Sequence, residues 1–405
     1  MSNSARRMMM SPPLSCDEAQ REERGAASLL RAPNAAPTGC VTINLDQLAR
    51  NWMGLADLVA PAGCAAVVKA NAYGLGADRV IPALVRAGCS VFFIATPQEA
   101  YDARRLAPQA GIYALDGLLP GAAESFARDA IRPVLSTLAD IETWARLGAR
   151  FGRPLPCGLH IDSGLNRLGL TARDARRLAA DGALMSGLDV RLVMSHLACA
   201  DNPADPKNRD QLLAFETLTT LFPGTPRSLA ASDGLMLGPA YHFDLVRPGY
   251  ALCGGQASIS NAAPVDPVLT VTARILAVND VAPGESVGYA ASWRAGRPSR
   301  IATIAAGYAD GVPRSASSSE GATCGYVLIA GHKVPIVGRV SMDLLTADVT
   351  DLPAGAIAAG DDAILLGSGL TIEDAGFAAG TIGYEILTRL GARFARRYIE
   401  AGAES

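Results

Sequence analysis

The sequence lacks the cysteine patterns of disulfide-rich and zinc-binding proteins. Its 405 residues include eight cysteines, with no CxxC pair and no Cys/His group at metal-ligand spacing. They are scattered along the chain as Cys16, Cys40, Cys64, Cys89, Cys157, Cys199, Cys253 and Cys324. Such sparse cysteines argue against a disulfide framework and against a metal site, and they are typical of a reducing compartment.

An excess of basic charge and long apolar runs are also missing. Lys and Arg number 36 against 39 Asp and Glu, so the net charge is -3 and a nucleic-acid partner is not expected. No stretch is apolar for long enough to indicate a membrane partner. Residues 1–39 lack the apolar run of roughly seven to fifteen residues that a secretory signal needs. We therefore expect 1–39 to be a disordered extension and the protein to be cytoplasmic.

Short apolar runs alternate with helix-like segments between residues 40 and 266. Segments such as PQEAYDARRLA and NRDQLLAFETLTTLF have helical periodicity. The runs that read as buried strands lie at 64–70, 90–96, 111–117, 131–136, 157–162, 190–197, 227–232 and 245–254. This repetition favours a (β/α)8 TIM-type barrel over 40–266, and a doubly wound open sheet is the alternative.

The rhythm changes over residues 267–405. VLTVTARILAVNDV, SRIATIAAGYAD and GYVLIAGHKVPIVGRVSM alternate in the manner of strands, and turn signals such as APGES and LPAG separate them. A long helical segment comes only near the end, in TIGYEILTRLGARFARRYI. The pattern predicts a second, mostly β domain after the barrel.

Polar residues stand where the barrel strands are expected to end, which is where barrels place their functional groups. Lys69 follows the first strand in apolar surroundings that would lower the pKa of its amine and suit it to Schiff-base chemistry. A lysine that merely reaches from a strand end to solvent is the alternative. The ends of strands five to seven carry Asp162, Arg167, His196 and Ser232, and Arg247 stands inside the eighth run, next to Gly249 and Tyr250. A lysine opposite a hydroxyl and a glycine turn indicates a phosphorylated aldehyde, pyridoxal 5'-phosphate.

Seven spaced motifs resemble those of one enzyme family. They are VVKANAYGLGA, HIDSGLNRLG, MSHLACAD, FDLVRPGYALCG, VGYAASW, AAGYADGVPR and VGRVSMD. Together they cover roughly residues 40 to 400, and they are similar in content and order to the motifs of the alanine racemases. The resemblance implies a pyridoxal phosphate enzyme, an isomerase, that interconverts L-alanine and D-alanine.

The resemblance also implies a pair of catalytic bases on opposite faces of the substrate. Lys69 matches the residue that carries the cofactor and serves as one base, and Tyr289 in VGYAASW matches the second. In the family this tyrosine comes from the partner subunit, so a homodimer with active sites at the subunit interface is expected. Tyr308 in GYADG is the alternative second base.

Further roles follow from the same motifs. Arg247 matches the residue that bonds the pyridine nitrogen, and His196 matches the residue that supports this arginine. Arg167 matches the arginine near the substrate carboxylate. The resemblance implies that the cofactor phosphate is held by Tyr73, Ser232, Gly249 and Tyr250, and that the partner chain lines the substrate entrance with Tyr308 and Met342.

Two positions depart from the family pattern. His160 stands where many members have a lysine that is carbamylated and orients the arginine, so Arg167 must be held differently here. Ala392 falls where a tyrosine near the cofactor phosphate is expected, which predicts a wider pocket and turnover of serine. Asp162 and Asp310 are interpreted as organisers of turns.

Two other functions remain open at this stage. A basic-amino-acid decarboxylase has the same architecture, but it carries a glutamate at the pyridine nitrogen, where this chain has Arg247. A non-catalytic barrel that carries pyridoxal phosphate would lack the β domain. Whether the enzyme makes D-alanine for peptidoglycan or degrades it is not decided by the residues.

Overall fold

The computed structural model describes residues 37–256, 263–318 and 325–400. The described residues from Thr38 onward form one compact unit. The extension expected over 1–39 lies outside the described residues except for its last three, and Gly39 already begins a strand. Within the described ranges, no helix is long and apolar enough to cross a membrane.

Parallel strands close into a barrel. Seven of them are hydrogen-bonded in chain order: Ala66–Val67, Val91–Ile94, Gly111–Ala114, Ile131–Leu135, Leu155–His160, Leu188–Met194 and Arg227–Ser228. Strand Leu245–Val246 pairs in parallel with Gly63–Cys64, and Arg247 bridges to Ala231 beside the seventh strand. This eighth segment joins the last strand to the first. The predicted barrel is therefore confirmed, and the open sheet is excluded.

The strands are apolar on both faces because side chains fill the barrel interior and helices cover its outside. Phe92, Phe93 and Ile94 of one strand are all buried, for example. The covering helices are Leu45–Val59, Ala77–Arg86, Pro97–Leu106, Ala123–Arg128, Leu138–Arg150, Ala172–Ala180, Gly182–Ser186 and Pro206–Thr219. Several start at a side-chain cap, such as Thr137, whose hydroxyl accepts from the Asp140 amide. Each helix thus returns the chain to the start of the next strand.

A second, mainly antiparallel sheet follows the barrel. Its strands are Leu269–Val281, Ser299–Ile304, Tyr326–Ile329, His332–Pro335, Leu345–Asp348, Asp362–Leu366 and Ala395–Ile399, together with Gly39–Asn44. A short hairpin joins Ser286–Val287 to Trp293–Arg294, and two short helices, Ile372–Ala378 and Gly383–Thr388, pack beside the sheet. The mostly β character predicted for this region is confirmed.

The first described strand belongs to this second sheet although it precedes the barrel. Gly39–Asn44 pairs antiparallel with Leu269–Val281 and parallel with Ala395–Ile399. The segment 40–266 that sequence assigns to the barrel therefore starts with a strand whose partners lie in the segment 267–405. Its pairing with Ala395–Ile399 holds this last strand close to the barrel mouth. There the Tyr398 hydroxyl donates to the Leu75 carbonyl at 2.9 Å.

Candidate active site

The carboxyl ends of the barrel strands surround a cavity of about 420 Å³. Its walls include Val67, Lys69, Tyr73, Ala95, Leu115, Asp116, His160, Arg167, Leu168, Met194, His196, Ala231, Ser232, Arg247, Gly249 and Tyr384. The site residues predicted on the barrel line this cavity, apart from Tyr250, which lies directly behind it. Asp116 is the one carboxylate among the described lining residues, so the cavity is rich in cationic and neutral donors and suits an anion.

Lys69 stands at the start of an unusual turn. Ala70, Asn71, Ala72 and Tyr73 all have left-handed backbone, with φ between 52° and 55°, and Gly74 follows at 82°. Left-handed backbone costs an L-residue roughly 1–2 kcal/mol, so four in succession must be held by their surroundings. The turn is closed by the Ala72 amide on the Val68 carbonyl and the Gly74 amide on the Ala70 carbonyl. Sequence predicted an unusual loop here, but not its extent over non-glycine residues.

The surroundings of the Lys69 amine favour its neutral form. Burial lowers its pKa, and the charges of Arg167 and Arg247 lower it further, against smaller opposing effects of Asp116 and Glu99. A lowered pKa increases the fraction of neutral amine at physiological pH, and only the neutral amine is a nucleophile. The interpretation of Lys69 as a solvent-reaching strand-end residue does not fit this half-buried position in the cavity wall.

Arg247 crosses the barrel interior and is only 3% exposed. Its guanidinium donates to the Ser228 hydroxyl and to the Ser195 carbonyl, the latter at 2.6 Å, and lies 5.8 Å from the centre of the Phe93 ring. Burial lowers its pKa, but a guanidinium still remains protonated at neutral pH. No carboxylate forms an ion pair with it in the described part of the chain. Its charge is therefore available to a ligand.

Two histidines share this positive environment. Burial and the charge of Arg247 lower the pKa of His196 to about 3 and that of His160 to about 4. Arg167 lowers both values further. Both rings are therefore neutral at physiological pH, and each can accept a hydrogen bond through one ring nitrogen. His160 is therefore uncharged at the position where a carbamylated lysine would carry a charge.

A small cradle of amides and hydroxyls lies at the ends of strands seven and eight. The Ser232 hydroxyl accepts from the Gly249 and Ala251 amides, both at 3.1 Å. Gly249 is required for space, because a Cβ there would lie 2.3 Å from the Tyr73 hydroxyl oxygen. The Tyr250 hydroxyl donates to Glu373 at 2.7 Å, so this side chain is engaged with the β domain. Only the backbone of Tyr250 remains for a ligand in the cradle.

Tyr384 of the β domain is a cavity residue that sequence reasoning missed. Its ring stacks on Tyr250, and its hydroxyl donates to Asp233 at 3.2 Å. Ala392, which was expected at the tyrosine position, is exposed and does not belong to the cavity wall. The expectation of a wider pocket is therefore wrong, because Tyr384, eight residues before Ala392 in YEILTRLGA, supplies the tyrosine of this wall. The sequence feature that could have indicated Tyr384 is the motif IGYEIL, in which the tyrosine comes directly before the helix-forming EIL.

The residues expected from the partner chain lie on the β domain surface. Tyr289, Tyr308 and Met342 are 72%, 43% and 54% exposed, and none of them lines the cavity of its own chain. The loops carrying two of them are bonded together, since the Tyr308 amide donates to Ser341 and the Ala309 amide to Met342. One chain thus brings Lys69, Arg167, Arg247 and Ser232 together, but not Tyr289.

Both aspartates interpreted as organisers of turns have that role. Asp162 Oδ1 accepts from the Gly164, Leu165 and Asn166 amides at 2.9 to 3.1 Å. Asp310 is buried, accepts from the Gly307 amide at 2.9 Å and lies 3.2 Å from Arg393. These contacts hold the loops that present Arg167 and Tyr308.

Comparison with protein families accounts for both domains. Residues 43–257 match the family model described as alanine racemase, N-terminal domain, and residues 268–398 match alanine racemase, C-terminal domain. This chain belongs to the alanine racemase family. The alanine racemase of Methylobacterium sp. (strain 4-46) is 47% identical over 360 residues, covering 89% of this chain and 97% of that relative. That of Rhizobium meliloti is 46% identical over 367 residues, with coverage of 89% and 96%.

Solved alanine racemase structures have the same fold. The Bartonella henselae enzyme, described with covalently bound pyridoxal phosphate, aligns with a TM-score of 0.85 at 38% identity and covers 90% of this chain and all of that one. The biosynthetic alanine racemase from Pseudomonas aeruginosa aligns at 0.83 with 35% identity and covers 90% of this chain and 100% of its own. The family and enzyme class implied by the motifs are therefore confirmed.

Proposed function

We propose that this protein interconverts L-alanine and D-alanine with pyridoxal 5'-phosphate bound in the barrel cavity. The observation that carries the proposal is the half-buried Lys69, whose pKa is lowered, in a cavity that also contains an anion cradle and Arg247, which forms no ion pair with a described carboxylate. A lysine alone would suit many reactions. Alanine racemisation is supported among them by the family of the chain and by the pyridoxal phosphate described in the Bartonella henselae relative.

The described residues fit the cofactor. The Ser232 hydroxyl accepts from the Gly249 and Ala251 amides and would donate its own proton to a phosphate oxygen, and the missing Cβ of Gly249 leaves room for Tyr73 to approach. Arg247 would face the pyridine nitrogen and, because it does not release its proton, would leave that nitrogen unprotonated. When bound, the cofactor makes the α-hydrogen of an amino acid acidic enough to be removed.

The protein residues then control where the proton goes. Arg167 at the cavity mouth would hold the substrate carboxylate through charge-assisted hydrogen bonds. Lys69 would remove or return the α-proton on one face, and a phenol on the other face would do the reverse, which inverts the centre. Tyr289 of a second subunit is our candidate for that phenol, because it is exposed and outside its own chain's cavity. We therefore propose a homodimer with shared active sites.

Optical rotation tests the proposed reaction. Full-length protein loaded with pyridoxal phosphate should abolish the rotation of an L-alanine solution without releasing carbon dioxide, and Lys69→Ala should abolish this activity. Carbon dioxide released from lysine or arginine would instead indicate the decarboxylase. Cofactor binding without any turnover of alanine would indicate a carrier and contradict the proposal.

We also propose that the reaction takes place in the cytoplasm. The six cysteines of the described residues are unpaired, which fits a reducing cytoplasm. D-alanine made there would supply peptidoglycan precursors. A deletion strain that grows only with added D-alanine would support the biosynthetic role, and unchanged growth without D-alanine would argue against it.

A further inference from the structure

Glu99 joins the turn after Lys69 to the neighbouring barrel strand. One carboxylate oxygen, Oε1, accepts from the Ala70 amide at 2.6 Å. The other, Oε2, accepts from the Ala95 and Thr96 amides at 3.0 and 3.2 Å. Ala70 is the first residue of the left-handed turn and directly follows Lys69. A single side chain therefore holds the start of that turn against the end of the second barrel strand.

The two oxygens of Glu99 have separate tasks. Oε2 completes a capping box at the start of helix Pro97–Leu106, in which the Thr96 hydroxyl accepts from the Glu99 amide. A capping box needs only this oxygen. The contact of Oε1 with Ala70 is therefore an addition to helix capping, and it reaches across 29 residues of sequence.

The far end of the turn is held by other groups. Asn71 accepts from the Ala77 amide through its side chain at 2.8 Å, Arg396 donates to the Gly74 carbonyl, and Tyr398 donates to the Leu75 carbonyl. These contacts fix residues 74–77. The near end, where the chain leaves Lys69, has the Glu99 carboxylate as its side-chain acceptor. Loss of this carboxylate would let the strained Ala70 relax toward ordinary backbone and would turn the Lys69 side chain.

We propose that Glu99 is a positioning residue that holds the left-handed turn and thereby aims the Lys69 amine into the cavity. The inference rests on the proposed function for the role of Lys69 as the point of cofactor attachment. It assigns to Glu99 no contact with substrate or cofactor. Its effect is to fix the peptide that follows the reacting lysine.

Three variants separate this role from simple helix capping. Glu99→Ala removes both tasks, and Glu99→Asp shortens the side chain so that it no longer spans both the cap and Ala70. Thr96→Ala is the matched control, because it removes the hydroxyl of the capping box and keeps the backbone amides that Glu99 binds. The control should lose thermal stability without disturbing the turn.

The readouts are hydrogen exchange at the amides of residues 70–76 in the full-length protein and the rate at which added pyridoxal phosphate becomes attached. We expect both Glu99 variants to lose protection at these amides and to slow attachment by about tenfold or more, since small displacements of a reacting group cost this much. Thr96→Ala should keep the wild-type protection and rate.

Two results would overturn the inference. One is equal slowing by Thr96→Ala and Glu99→Ala, which would leave helix capping as the whole role of Glu99. The other is unchanged protection at residues 70–76 in both Glu99 variants. Failure of the proposed function would look different, because the wild-type protein itself would then attach no pyridoxal phosphate, while the exchange measurement would still report on the turn.

Discussion

Tyr250 and Tyr384 stack with ring centres 3.8 Å apart and planes inclined by 15°. Tyr250 leaves the eighth barrel strand, and Tyr384 belongs to helix Gly383–Thr388 of the β domain. Glu373 anchors the hydroxyl of the first ring, and Asp233, next to Ser232 of the cradle, accepts from the second. The β domain thus completes the wall of the cavity in its own chain as well as presenting Tyr289 on its surface.

The stack can be tested by two substitutions of Tyr384. Tyr384→Phe keeps the ring contact and removes one hydrogen bond, so we expect a loss of about 1 kcal/mol in the free energy of unfolding. Tyr384→Ala removes the half-buried ring itself, and roughly 2 kcal/mol or more should be lost. Urea unfolding of the full-length protein measures both values. Equal losses would show that the stacked rings contribute nothing beyond the hydrogen bond.

Gly249→Ala should weaken cofactor binding. The new Cβ would stand 2.3 Å from the Tyr73 hydroxyl oxygen, so Tyr73 or the strand-eight turn must move. Overpacking of this kind costs about 1–3 kcal/mol, which corresponds to roughly ten- to hundredfold in the dissociation constant of pyridoxal phosphate. Gly296→Ala is the control, because no atom lies within 4 Å of its Cβ position and its φ is not positive. If the two variants bound pyridoxal phosphate with similar affinity, Gly249 would not be part of the cradle that holds the cofactor.

Stability should fall as the pH is lowered below 6.5. His160 has a pKa of about 4 in the folded protein against 6.5 for an ordinary histidine. Between these two pH values the unfolded chain therefore binds a proton at His160 that the folded protein does not bind. The contribution of His160 to the free energy of unfolding is complete above pH 6.5 and is lost as the pH falls toward 4. The loss between pH 7 and pH 5 amounts to about 2 kcal/mol. His160→Gln should unfold with a shallower pH dependence over this range. An unchanged slope would mean that His160 titrates normally when folded.

Subunit mixing tests the shared active site. In a dimer of one Lys69→Ala chain and one Tyr289→Phe chain, one of the two sites regains both native groups. Random exchange of these inactive variants should therefore restore roughly a quarter of the wild-type activity. Heterodimers that are verified by mass and stay inactive would place both bases on one chain, whereas a Tyr289→Phe variant that is active on its own would favour Tyr308. Repeating the mixture with Tyr308→Phe distinguishes the two tyrosines.

The barrel and its charged residues were predictable because they depend on local order. Apolar runs of strand length recur at βα spacing, and the residue after each run must lie at the carboxyl end of the barrel. The structure brings Lys69, Arg167, Ser232 and Arg247 into the wall of one cavity, as this strand order predicts. The early strand Gly39–Asn44 was not recognised as part of the second sheet, since its partners lie more than 200 residues away.

The sequence by itself determined which side chains stand at the strand ends, and hence the chemistry available to the cavity. Tertiary structure alone decided that Tyr384 rather than Ala392 closes the wall, that Glu99 holds the Ala70 amide, and that Tyr289 lies outside its own cavity. The physical reason is the range of the interactions. Periodicity reports on neighbours along one strand or helix, whereas Tyr250 and Glu373 are 123 residues apart and meet only when both domains have folded.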